Sequence, residues 1–360
     1  MSRRKSRTTA SPVVVVAAGL ALAAVLSASG CETGDSEAEV RGTIVEQASD
    51  PVPSAPSTAL TTTTPPITAP PSTAAPTTST APLVAAPPFA PSETEILQDR
   101  KRLGGQFAQA TLTYEPDSTV DEQLAKLVDV FGVQPSAELS SLLAEAMTPG
   151  TQSVASVRYV QMGGNRPDSA SLMVWVDTEQ LSPEGQRSSE SRVVDVRVQR
   201  GPDGFVVDEL ASLGGPKVER PDDLGDVARA VVDHPGITMA DSARWDIYAG
   251  HTTVTMLERM LQIAEEHSYS VLVLNRGHPY NVFATNSVSR HSVGQAMDVY
   301  EVDGQLVVDS RFEGSPAWTL SKKLFDAGIQ SIGSPWAFDG FGGRSFTDDV
   351  HQDHLHITGY

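Results

Sequence analysis

Between residues 32 and 92 the sequence collapses to proline, threonine, alanine and serine, and no other feature limits the possible folds of this chain as much. Segments 61–66 and 69–87 hold almost no large apolar side chains. Such a stretch cannot bury enough surface to offset the entropy of ordering it. Its prolines favour an extended, semi-rigid spacer. Any folded core must come from the residues C-terminal to this stretch, and in a chain of 360 residues that remainder is long enough for two domains. The single cysteine, Cys31, excludes an intramolecular disulfide, so those domains stand on their cores alone. The formal net charge of −19 argues against nucleic acid as a partner.

Arg3, Arg4, Lys5 and Arg7 precede an apolar run over 13–26, the pattern of a signal peptide. The run is shorter than the roughly 20 apolar residues of a membrane-spanning helix. It ends at Ala28, Ser29, Gly30 and Cys31, which resembles a bacterial lipoprotein cleavage site, with alanine at 28 where leucine is more usual. The Arg3–Arg4 pair hints at twin-arginine export, but the apolar residues that should follow it at once are missing. The reading is a lipoprotein signal peptide over 1–30 and a disordered tether over 31–92. Lipid on Cys31 would hold the protein on the outer face of the cytoplasmic membrane, beside the cell wall.

Region 93–218 reads as a smaller α+β domain. An amphipathic helix is predicted over 121–131, with Leu124, Leu127, Val128 and Phe131 on one side. A second spans 136–147, capped by Ser136 and stopped by Pro149 and Gly150. Strand-like runs come next at 153–162, 170–177, 192–199 and 205–210, punctuated by glycine-rich turns. Alternation in 192–199 is only partial, which leaves the strand faces open. Two helices and then a four-stranded meander suggest helices on one face of a sheet, an arrangement that resembles the cone-shaped domains common in exported actinobacterial proteins. The region shows no catalytic constellation and reads as a spacer or wall-binding module.

Region 219–360 carries the chemistry. Helices are predicted over 222–232, 252–267 and 318–327, and a buried strand over 270–275. Asp303 and Gly304 suggest a hairpin turn leading into 305–308. The loop 334–343 is glycine-rich and aromatic and is a candidate cleft wall. Two stretches concentrate metal-binding side chains: 289–298, with Ser289, His291, Gly294 and Asp298, and 351–356, with His351, Asp353, His354 and His356. Imidazole and carboxylate are donors that zinc accepts, and a catalytic zinc takes three protein ligands and keeps one position open. On one straight strand His291 and Asp298 would lie about 23 Å apart on opposite faces, at about 3.3 Å per residue. The chain must turn between them, and Gly294 permits the turn. Met297 to Tyr300 then reads as a strand with Asp298 near its start. His354 and His356, two apart, would share one face of another strand, with Leu355 and Ile357 on the core side.

Ser289, His291, Gly294, Ala296 and Asp298, followed by His351, Asp353, His354 and His356, resemble the zinc D-Ala-D-Ala metallopeptidases. These are relatives of lysostaphin and of the hedgehog signalling domain, and the ending is similar to that of actinobacterial zinc D,D-carboxypeptidases. The resemblance covers about the last 120 residues. It implies an α+β peptidase domain with an antiparallel sheet flanked by helices, and Zn2+ held by His291, Asp298 and His356. It implies Asp353 as general base, since that family places a carboxylate three residues before the last histidine ligand. Ideal strand alternation would aim Asp353 away from His356, so a bend before His354 is required. Arg276, His351 and His354 would stabilise charge on the scissile carbonyl, and Ser289 would orient a ligand. His278 receives no role. The implied substrates are peptidoglycan stem peptides, cut next to a D-amino acid by a carboxypeptidase or endopeptidase. The alternatives are a zinc-containing lipoprotein that binds wall peptides without cutting them, and a transport or assembly lipoprotein whose first domain does the work.

Overall fold

Helix α1 (Gln98–Thr111) is the first regular element, and hydrophobic periodicity does not reveal it, because its buried side carries Arg100, Lys101, Gly104 and Gly105 beside Phe107 and Ala108. The glycines are there for close approach. A Cβ on Gly104 would lie 2.3 Å from Leu172, and one on Gly105 2.3 Å from Phe89. The computed structural model describes residues 81–340 and 343–359; the expected signal peptide, Cys31 and most of the expected tether lie outside them. The last part of that tether belongs to the fold. Leu83 is buried and its N–H donates to Gln152 Oε1 at 2.7 Å, while the Phe89 N–H donates to Gln109 Oε1 at 2.9 Å. Composition placed the spacer's end at residue 92 because it could not register these glutamine partners.

Helix α2 (Val120–Phe131) opens with a Thr119–Glu122 capping box, and α3 (Ala137–Ala146) is capped by Ser136, whose side chain accepts from the Leu139 N–H. Strands β1 (Gln152–Asn165), β2 (Ser169–Leu181), β3 (Arg187–Gly201) and β4 (Gly204–Ser212) form an antiparallel meander in that order. One face meets the helices: Leu172, Val174, Val194 and Val196 pack with Phe107, Leu127 and Leu143. The opposite face is buried too. Tyr159, Met173, Trp175 and Val193 pack against Ala240, Leu272, Val273 and Tyr300, and the Tyr159 and Tyr300 rings stack with centroids 4.6 Å apart. A sheet covered on both sides needs apolar residues in both phases, which explains the imperfect alternation of 192–199.

The second sheet is built from β5 (Ile237–Met239), β6 (Tyr269–Val273), β7 (Ala296–Val302), β8 (Gln305–Leu306), β9 (Ile332–Gly333), β10 (Ser345–Phe346) and β11 (Leu355–Thr358). The order is β10-β9-β11-β7-β6-β5, with β8 paired to β7. The centre is antiparallel, as expected, but β5 runs parallel to β6 and β10 parallel to β9. Asp303 and Gly304 both have positive φ, 50° and 74°, in the hairpin turn between β7 and β8. Helices α4 (Asp226–Val232), α5 (Asp241–Tyr248), α6 (Val254–Ala264) and α7 (Pro316–Asp326) flank this sheet. Met256 and Met260 of α6 and Leu320 and Leu324 of α7 pack on Val271, Met297, Val299, Leu355 and Ile357. The fold is α+β, and 93–218 and 219–360 belong to one compact unit. Among the described residues no helix is long and apolar enough to cross a membrane.

Candidate metal centre

His291 opens a short 3-10 turn, His291–Val293, that ends at Gly294 with φ 69°. A Cβ at 294 would lie 2.1 Å from the His251 carbonyl oxygen, so the turn tolerates only glycine. Ser289, buried, accepts from the His291 N–H at 3.3 Å and so fixes the backbone of this turn. The turn delivers the chain into β7, where Asp298 is third. Across the sheet, His356 of β11 stands directly opposite Asp298 of β7, and residues opposite each other on antiparallel strands project from the same face.

Three donor atoms converge. His291 Nε2 lies 3.1 Å from Asp298 Oδ1 and 3.1 Å from His356 Nδ1, and His356 Nδ1 lies 3.0 Å from Asp298 Oδ1. A tetrahedral ion bound at zinc's usual distances would separate its ligand atoms by about 3.3 Å, so this triangle is near the size of one face of such a site. The ring orientation also fits. His291 Nδ1 sits 2.7 Å from the Leu274 carbonyl, which can only accept, so Nδ1 carries a proton and Nε2 is the nitrogen turned toward the triangle. Burial first, and the neighbouring imidazoles with it, lowers His356 to about 4, so His356 is a neutral donor at pH 7. Burial alone would push Asp298 up, but His291 and His354 outweigh it and hold the carboxyl well below its usual range. Two imidazole nitrogens and one carboxylate oxygen suit zinc.

Further ionisable groups stand beside this triangle. Residues 353 and 354 form a bend before β11, so His354 lies outside the strand on which it was expected. Its Nε2 is 3.8 Å from Asp298 Oδ2, and its Nδ1 donates to Asp353 Oδ1 at 2.7 Å. Burial lowers the His354 imidazole, but the carboxylates of Asp298 and Asp353 more than compensate and raise it. The expected bend is therefore present, yet it turns Asp353 inward. Asp353 is fully buried, 2.6 Å from Lys101 Nζ, and its Oδ2 accepts from the Met162 N–H at 3.0 Å. Lys101 is itself buried, pairs also with Glu95, and lies over the Tyr159 ring. Burial would raise Asp353, but Lys101 and then His354 prevail and keep it low. Asp353 does not line the cleft, whereas His354 does.

The cleft has a volume of about 350 Å³. Its walls include Met162 and Gly163 of β1, Val282 and Phe283 of the 275–288 loop, and Phe346 and His351. A Cβ on Gly164 would lie 2.3 Å from Phe283, so glycine lets this loop close against β1. His351 is in the cleft, with Nδ1 2.7 Å from Asp348 Oδ1. Arg276 is not. Its guanidinium faces Asp246 at 3.5 Å, the Pro216 carbonyl at 3.2 Å and His251 at 3.5 Å, and its N–H donates to Asp246 Oδ2. The arginine thus belongs to a knot around the buried Asp246, which sequence proximity to His291 could not reveal. Trp336 and Phe338 of the aromatic loop also stay out of the cleft, packing toward Trp318 and Phe325 of α7.

Three residues without an assigned role join the site. The His278 ring stacks on His291 at 4.3 Å, and His278, His291 and Asp298 each offer a donor atom within 4.8 Å of the others. Burial lowers His278 to about 3, so it is neutral. Gln161 of β1 donates Nε2–H to Asp298 Oδ2 at 2.7 Å, and Lys101 of α1 holds Asp353. No motif marks Gln161 or Lys101, since both act from a region with no metal-binding pattern. For His278 the signal was its place in the run Arg276, Gly277, His278, Pro279 just before the first motif.

No family model matches the chain, and no curated protein does. Solved structures that match include CagV, a VirB8 homologue of a type IV secretion system from Helicobacter pylori, at 10% identity, covering 31% of this chain and 92% of that one with a TM-score of 0.25. An IcmL-like type IV secretion system protein from Legionella pneumophila matches at 15% identity, covering 37% of this chain and 98% of that one with a TM-score of 0.27.

Proposed function

We propose that this protein is an exported zinc metallopeptidase that hydrolyses peptide bonds next to D-amino acids in peptidoglycan stem peptides, as a D,D-carboxypeptidase or endopeptidase. The observation that carries the reading is the triangle of His291 Nε2, Asp298 Oδ1 and His356 Nδ1, with sides of 3.0–3.1 Å, at the cleft. Those three residues would hold the ion, which when bound polarises a carbonyl oxygen and makes a water more acidic. The chain's own groups supply the rest. His354 presents Nε2 to the cleft and is placed to take a proton from an attacking water and return it to the leaving amine. Asp353 fixes the His354 tautomer from behind, the part a buried carboxylate plays in a hydrolase triad. His351, anchored by Asp348, is a donor for charge developing on the scissile carbonyl.

The test is incubation of the purified protein with defined muropeptides, with and without a chelator. Mass spectrometry should find a truncated or cleaved stem peptide whose formation stops on chelation. A second reading is a zinc-containing protein that binds wall peptides without cutting them. It is favoured by the placement of Asp353 and Arg276, both turned away from the cleft. Binding that survives with no product at any protein concentration would decide for it.

Attachment to the membrane through lipid on Cys31 is part of the proposal, supported by the residues at 28–31 and the spacer after them. Cys31→Ser is expected to move the protein from the membrane fraction to the soluble one. Unchanged fractionation would refute the anchor and leave the peptidase reading intact.

A further inference from the structure

The metal-binding motifs are confined to 219–360, yet two buried polar side chains of the N-terminal region touch the residues those motifs place in the site. Gln161 is fully buried on β1, and its Nε2–H donates to Asp298 Oδ2 at 2.7 Å. That bond leaves Oδ1 facing His291 and His356. The amide is oriented unambiguously, because an ionised carboxylate accepts and cannot donate. Its other end, Oε1, is buried and has no hydrogen-bond partner among the described residues. A buried acceptor left unpaired is costly, so a purely structural glutamine is poorly explained here. The donor half of the amide is the half in use. Lys101, also fully buried, does for Asp353 what Gln161 does for Asp298, aided by the Met162 N–H.

We infer that Gln161 and Lys101 are positioning residues of the metal centre, and that the N-terminal α+β region is therefore half of the site, not a spacer. This rests on the zinc reading above. Gln161 fixes which oxygen of Asp298 is offered to the ion and stops the carboxylate rotating. Lys101 fixes Asp353, and through it the His354 ring. Partners that orient a ligand in this way are typically worth about 10–100-fold in metal affinity.

The experiment measures zinc affinity of the full chain by competition with a chromogenic chelator, together with the melting temperature of the metal-free protein. Gln161→Met keeps the length of the side chain and removes the donor. It is expected to weaken zinc binding about 10–100-fold with the metal-free melting temperature close to wild type. The comparator is Gln123→Met. Gln123 is nearly as deeply buried, but it holds the Ala110 and Thr111 carbonyls at the end of α1, away from the site. It should cost stability and leave zinc affinity unchanged. If Gln161→Met does not fold, Gln161→Asn, which draws the amide back by one methylene, is read in the same way. Lys101→Met is expected to lower kcat with KM and zinc affinity near wild type. Wild-type affinity in folded Gln161→Met, or equal weakening by Gln123→Met, would overturn the inference while the zinc reading stands. A wild-type chain that binds no zinc would remove the zinc reading itself.

Discussion

His356→Ala is expected to reduce zinc from close to one ion per chain to near none, whereas His278→Ala keeps the ion. Two overlapping sets of donors share His291 and Asp298 and differ in the third member. In the first set, His356 Nδ1 is 3.0 Å from Asp298 Oδ1 and 3.1 Å from His291 Nε2. In the second, His278 brings a donor atom within 4.8 Å of the other two, with its ring stacked on His291. The tighter triangle matches the about 3.3 Å ligand spacing of a tetrahedral zinc, and His356 is held on a strand paired in register with that of Asp298. Strand-borne ligands are the better preorganised. Losing one of three protein ligands should exceed the about 10–100-fold cost of losing an orienting partner. Elemental analysis after gel filtration reads the result, with melting of the metal-free proteins as the control for folding. Zinc retained by His356→Ala and lost from His278→Ala would transfer the third position to His278.

The second large effect concerns the proton. His354→Gln is expected to lower turnover of a muropeptide by about 10²–10⁴-fold with zinc retained, the usual worth of a general base. Asp353→Asn should cost turnover less, because the imidazole stays and only its orientation is weakened. It should instead cost stability, which His354→Gln does not to the same degree. Asp353 and Lys101 form a fully buried pair, and breaking such a pair from one side costs about 3–5 kcal/mol. The retained Glu95–Lys101 contact places the loss at the lower end of that range. Chemical denaturation and steady-state kinetics on the two variants separate these roles. Should Asp353→Asn abolish turnover at wild-type stability while His354→Gln remains active, Asp353 is the base and the expectation drawn from the motif is restored.

Sequence by itself determined what depends on neighbours a few residues away. Ser136 caps α3 because its hydroxyl reaches the Leu139 N–H three residues on. Gly294 allows the turn after His291 because only glycine fits there at φ 69°, and the Asp303–Gly304 turn and the start of β7 just before Asp298 come from the same short-range chemistry. The residues of the candidate metal centre were legible as well, since their types and order are written in two short stretches. Tertiary structure decided everything that required a partner far along the chain. The pairing of β11 with β7 sets His356 opposite Asp298, 58 residues apart. The direction of Asp353 was decided by Lys101, which no local rule would bury, and α1 itself escaped detection because its inner side was shaped to hold that lysine and to approach the sheet through glycine. Arg276 left the cleft for a carboxylate on α5, Asp246. A buried charge or amide is oriented by whichever complementary group lies within about 3 Å in space, and that group has no fixed address in the sequence.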